Sequence, residues 1–118
     1  MNTKKLDPPQ IGIIVLAAAT AIIHILLSIV AYTRFNDSTT FIMFLLNGLG
    51  YLTLLAATFL PVPIAKDYPK LVRWVFIGFT AITVLGWVAI GNRSALAYAD
   101  KVIEVVLIAL LWLEARKA

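Results

Sequence analysis

From Ile11 to Tyr32 the chain carries no Asp, Glu, Lys or Arg, and most of its residues are Ile, Leu, Val and Ala. A helix needs about 20 consecutive, mostly apolar residues to cross the hydrocarbon core of a bilayer, so this run is long enough to span. It is also too long for the apolar segment of a secretion signal, although Lys4 and Lys5 precede it. Two further runs of the same kind follow, and then an interrupted one. The expected helices cover approximately 11–33, 40–60, 70–90 and 94–114.

The residues between the runs punctuate them as helix ends. Pro8 and Pro9 suit a helix start, where the missing N–H would be unpaired anyway. Asp37 and Ser38 are capping-type residues ahead of the second run, and Pro61 and Pro63 close it. The third run is entered through Asp67 and Pro69 and left through Gly91 and Asn92. In the fourth, Asp100, Lys101 and Glu104 leave only Val105 to Leu113 uninterrupted.

Composition excludes an ordinary water-soluble domain. The chain is 62% hydrophobic and 14% charged, against about 45–50% and about 25% in typical soluble domains. A fold of 118 residues keeps too much surface to hide that apolar excess in one core. The expected architecture is therefore all-α: one domain, 1–118, forming an integral membrane four-helix bundle with up-down-up-down antiparallel topology, since short loops make sequential helices neighbours. The sequence holds no cysteine, which removes thiolate metal sites and disulfides.

The ten Lys and Arg residues lie around the ends of the apolar runs and form no basic stripe, so nucleic-acid binding is not expected. With four crossings, Lys4, Lys5, Lys66, Lys70, Arg73, Arg116 and Lys117 fall on one face, and Arg34, Arg93 and Lys101 on the other. The positive-inside rule makes the first face, with both termini, cytoplasmic. Trp74, Trp112, Tyr32, Tyr68 and Tyr98 occupy the helix ends, where aromatic residues anchor at membrane interfaces.

An ionisable side chain within a membrane helix costs roughly 2.5–3.5 kcal/mol on insertion scales, so each one calls for an explanation. His24 lies about nine residues from the outer end of the first helix, roughly 14 Å deep at about 1.5 Å per residue. Glu104 lies about eight residues from the outer start of the fourth, roughly 12 Å deep by the same rise. Asn47 and Thr83 come out near that level on the second and third helices. The first helix presents Ala17, Thr20, Ala21, His24 and Ser28 on one face by the i, i+3, i+4 rule. By the same spacing Asn47 goes with Tyr51, Thr83 with Trp87, and Asp100 with Glu104. The expected ion- or proton-binding residues are His24, Glu104, Asn47, Thr83 and Asp100, with Lys101, Arg93 and Tyr51 secondary. Lys101 can instead extend to the interface, and Arg93 is placed to pair with Asp100. Gly48, Gly78, Ala81 and Gly86 are small enough to let helices approach closely.

The sequence contains no HExxH, no Gly-rich phosphate loop, no nucleophile elbow and no CxxC. No catalytic residue, metal or cofactor is expected, and a single histidine cannot build a multi-histidine centre. In size and four-span layout the chain resembles the small multidrug resistance transporters. That family centres on a membrane glutamate in its first helix; here the first helix carries His24, and the deep glutamate is Glu104 in the fourth. Two function classes follow. One is a homo-oligomeric proton or cation transport protein, in which an imidazole titrating near neutral pH works with a desolvated carboxyl. The other is a non-catalytic accessory subunit of a larger membrane complex, with His24 as an axial ligand to a tetrapyrrole.

Overall fold

The structure, a computed structural model, describes residues 6–91 and 93–117, with the side chain of Lys117 outside the description. Lys4, Lys5 and Asn92 lie outside the described residues. The chain forms four helices and, among the described residues, no strand: α1 (Pro8–Phe35), α2 (Ser38–Phe59), α3 (Pro69–Ile90) and α4 (Ala95–Lys117), with a short 3₁₀ turn at Ala65–Asp67 between α2 and α3. The molecule measures 49 × 25 × 21 Å.

Helix starts follow from local chemistry. At α1, the Asp7 carboxylate accepts from the Gln10 backbone N–H at 3.1 Å, and the Gln10 side chain accepts from the Asp7 N–H at 3.2 Å. This reciprocal box, with Pro8 in the first turn, starts the helix three residues before the apolar run. At α2, Asp37 accepts from the Thr40 backbone N–H at 3.0 Å and from its hydroxyl at 2.6 Å. The hydroxyl bond, followed by the backbone one, holds the Asp37 carboxyl below its ordinary value of 3.8. A lowered folded-state value means the cap contributes fully above the ordinary value and is lost as pH falls through the lowered one. Asp37→Ala should therefore lower the thermal midpoint at neutral pH and leave it unchanged in strong acid, as a midpoint series against pH for both proteins would show.

Between α2 and α3 the backbone is strained at Ile64, which has φ 72° and ψ −56°. The Ala65 N–H donates to the Pro63 carbonyl across it at 2.8 Å, the three-residue turn that a β-branched residue adopts only under constraint from its neighbours. Pro61, Pro63 and Pro69 bracket this segment and keep both helices from running on.

The buried apolar core is Ile13, Ala17 and Ala21 of α1, Tyr51 of α2, Phe76 of α3, and Leu107 and Leu111 of α4. Small residues on α1 make room for the larger ones facing them. Large apolar residues point outward instead, among them Ile22, Leu26, Leu46, Ile82, Leu85 and Ile90, the reverse of a water-soluble bundle. Three helices, α1, α2 and α3, are long and apolar enough to cross a membrane. The fourth does not reach that measure, because Asp100, Lys101 and Glu104 fall within it.

Of the small residues expected to bring helices together, Gly48 does so: a Cβ there would lie 2.9 Å from the Ala21 carbonyl oxygen. Gly78 and Gly86 do not, since a Cβ on either would meet nothing within 4 Å.

Candidate functional site

The site begins with α1 and α4. Gln10 donates to Glu114 at 3.2 Å, and Thr20 reaches Asp100 and Glu104, so residue numbers run in opposite senses along the two helices. That register lays the polar stripe of α1, Thr20, His24 and Ser28, beside Asp100, Lys101 and Glu104 in the N-terminal half of α4. All three stripe residues are buried, as are Asp100, Lys101 and Glu104.

Within the cluster, the Thr20 hydroxyl lies 2.6 Å from Asp100 Oδ1 and 3.2 Å from Glu104 Oε2. It has one hydrogen, which goes to the nearer carboxylate. Tyr51, from α2, donates its hydroxyl to Glu104 Oε2 at 2.6 Å. The Lys101 ammonium sits between the two carboxylates, 2.5 Å from Glu104 Oε1 and 3.2 Å from Asp100 Oδ2. His24 Nδ1 lies 2.8 Å from the Thr20 backbone carbonyl. A carbonyl only accepts, so Nδ1 carries a hydrogen and Nε2 is the nitrogen able to gain or lose one. Nε2 stands 3.7 Å from Asp100 Oδ2. The rings of Phe44 and Tyr51 lie against the imidazole at centroid distances of 5.7 and 5.9 Å. From α3 come Phe76 and Phe79, packed on Tyr51, and the Thr80 and Thr83 side chains within reach of the Tyr51 hydroxyl.

The expected layer of four is thus two groups that meet at Tyr51, whose hydroxyl also has the Thr83 side chain within reach. His24, Glu104 and Asp100 come together and recruit Tyr51 and Lys101, both expected only as secondary. Asn47 and Thr83 bond to each other instead, Nδ2 to Oγ1 at 2.9 Å, and both are half-buried. Asn47 Oδ1 is buried without a hydrogen-bond partner, an arrangement that costs about 1–3 kcal/mol. Lys101 does not reach for the interface: only 9% exposed, it turns inward to the carboxylates. Arg93 does not pair with Asp100. It donates to the Val88 carbonyl at 2.8 Å and lies over the Trp87 ring at 4.2 Å. Thr20 was on the expected polar face but not among the site candidates, and it proves to lie between the two carboxylates, donating to Asp100 with Glu104 Oε2 3.2 Å away.

Axial ligation of a tetrapyrrole by His24 does not fit this geometry. The free ring nitrogen Nε2 faces Asp100 at 3.7 Å, and the residue is 5% exposed with the rings of Phe44 and Tyr51 against it, which leaves no opening for a flat macrocycle. Comparison with protein families, curated proteins and solved structures returned no match.

Proposed function

We propose that this chain is a multi-pass membrane protein that moves protons through its buried polar cluster, working as a homo-oligomer. The observation that carries this reading is the charge of the cluster. Two carboxylates against one ammonium leave one negative charge when His24 is neutral, and α2 and α3 supply no cation. A lone buried charge is costly in a medium of low dielectric, so the cluster is built to hold one further proton. Two places could receive it: His24 Nε2, facing Asp100, and Glu104 Oε2, facing the Thr20 hydroxyl. With the proton on Glu104 Oε2, that oxygen donates to Thr20, which donates to Asp100, so the sequence from Asp100 through Thr20 to Glu104 and Tyr51 is continuous in the protonated state.

Toward the end of the bundle that holds Gln10 and Glu114, the buried core residues are apolar: Ile13, Ala17, Leu107 and Leu111. One chain therefore offers a proton site and not a complete path. An oligomer, or a rearrangement of α4 against α1, would supply the remainder, and exposed apolar faces are available for packing between copies. In this reading α4 crosses the bilayer despite its charges, because Lys101 neutralises one carboxylate inside the bundle. The helices run up-down-up-down with both termini cytoplasmic.

Two measurements test the proposal. Reporter fusions at both termini and in the Lys66–Lys70 loop should report cytoplasm, and fusions near Asp37 and Arg93 the opposite side; termini on opposite faces would refute four crossings. The purified protein in proteoliposomes should dissipate a proton gradient. No flux under any gradient, with stable co-purifying subunits, would favour the accessory-subunit role instead.

A further inference from the structure

One donor atom from each of His24, Asp100 and Glu104 lies within 4.8 Å of the others. An imidazole nitrogen with two carboxylate oxygens is a ligand set suited to Zn²⁺ or Mn²⁺. Ligands about 2.0–2.2 Å from a tetrahedral ion lie about 3.3–3.6 Å from one another, so the set closes on an ion by contracting up to about 1.5 Å. A second feature matches independently. Metal-bound histidines commonly donate the other ring N–H to a carbonyl, which fixes the ring, and His24 Nδ1 does so to the Thr20 carbonyl at 2.8 Å. The seat between the carboxylates is nevertheless taken by Lys101 Nζ.

We infer that Lys101 is a tethered cation seated in a latent divalent-metal site formed by His24, Asp100 and Glu104, so that the native cluster rejects metal ions. The charges give the reason. With Lys101 present, a divalent ion carries the cluster past neutrality and must share the space between the carboxylates with an ammonium. Without Lys101, the two carboxylates match a divalent ion. The inference does not rest on the proton-handling reading above, and its test measures no gradient or flux.

The full chain, purified in mild detergent, is titrated with Zn²⁺ and with Mn²⁺ by calorimetry, as the parent protein, as Lys101→Met and as Lys101→Met with His24→Gln. Methionine keeps most of the length and apolar bulk of the lysine stem. The expected result is no binding to the parent cluster and one ion per chain in Lys101→Met. Its affinity should exceed that of the parent by at least about 100-fold, the scale of an uncompensated buried charge, and be lost when His24→Gln is added. Bound metal should also raise the thermal midpoint of Lys101→Met. Should Lys101→Met fail to fold without metal, refolding rescued by Zn²⁺ or Mn²⁺ supports the inference, and Lys101→Gln serves as the second variant. Metal binding to the parent as tight as to Lys101→Met would overturn it. So would folded lysine variants that bind no metal, or variants that metal does not rescue. A parent that moves no protons leaves the metal result standing, so the two readings fail separately.

Discussion

Glu104→Gln is expected to reduce proton flux in proteoliposomes by about tenfold or more, because it removes a titrating group from the hydrogen-bonded sequence, while the thermal midpoint changes little. Glutamine keeps the size of the side chain; with its carbonyl accepting from Lys101, its amide N–H donates to the Tyr51 hydroxyl oxygen, whose own hydrogen turns away. The Asp100–Lys101 pair, 3.2 Å apart, remains and is neutral by itself. The variant cluster therefore has no need of an additional proton, and its stability no longer depends on holding one. Removing the cation instead should do the opposite. Lys101→Met without metal leaves two buried carboxylates uncompensated, and breaking a buried pair in this way typically costs about 3–5 kcal/mol. Flux that survives Glu104→Gln unchanged would show that the carboxyl serves packing alone and would refute the relay.

The helices were legible in the sequence because each apolar run is bounded by residues with a definite local effect: Pro8 with Pro9, Asp37 with Ser38, Pro61 with Pro63. Even so, the Asp7–Gln10 box starts α1 earlier than the apolar run alone implies. The meeting of His24 with Glu104 was legible too, since depth along a straight helix follows from rise per residue. Depth says nothing of rotation, however. Asn47 and Thr83 lie near that level but turn toward each other across α2 and α3, while Tyr51, one turn along from Asn47, faces Glu104. Lys101 was misread for a different reason. Taken singly, a lysine this close to a helix end is best satisfied by extending to water. Taken with Asp100 and Glu104, it is the cation that makes both carboxylates tolerable inside the bundle. The energy belongs to the group, and no single-residue rule contains it.

Packing between α1 and α2 offers a contrasting expectation. Gly48→Val should destabilise the fold at or beyond the upper end of the about 1–3 kcal/mol usual for overpacking. A single Cβ at Gly48 would already lie 2.7 Å from Ile25 Cγ1 and 2.9 Å from the Ala21 carbonyl oxygen. The isoleucine can change rotamer, but the carbonyl belongs to α1 itself and moves only if the helices separate. Gly50→Ala tests the milder case, because its Cβ would meet the ring of Phe79, a side chain able to rotate. Gly78→Ala is the control: nothing lies within 4 Å of its Cβ, and alanine favours a helix by about 0.8–1.0 kcal/mol over glycine, so its midpoint should hold or rise. Tyr51 sits three residues beyond Gly48 on the same helix, so pushing α2 away also lengthens the 2.6 Å bond from Tyr51 to Glu104. Gly48→Val should therefore lose stability and flux together, whereas Glu104→Gln loses flux alone. Thermal midpoints and flux measured on the same preparations separate the two, and a Gly48→Val protein as stable as Gly78→Ala would mean that α1 and α2 do not pack this closely.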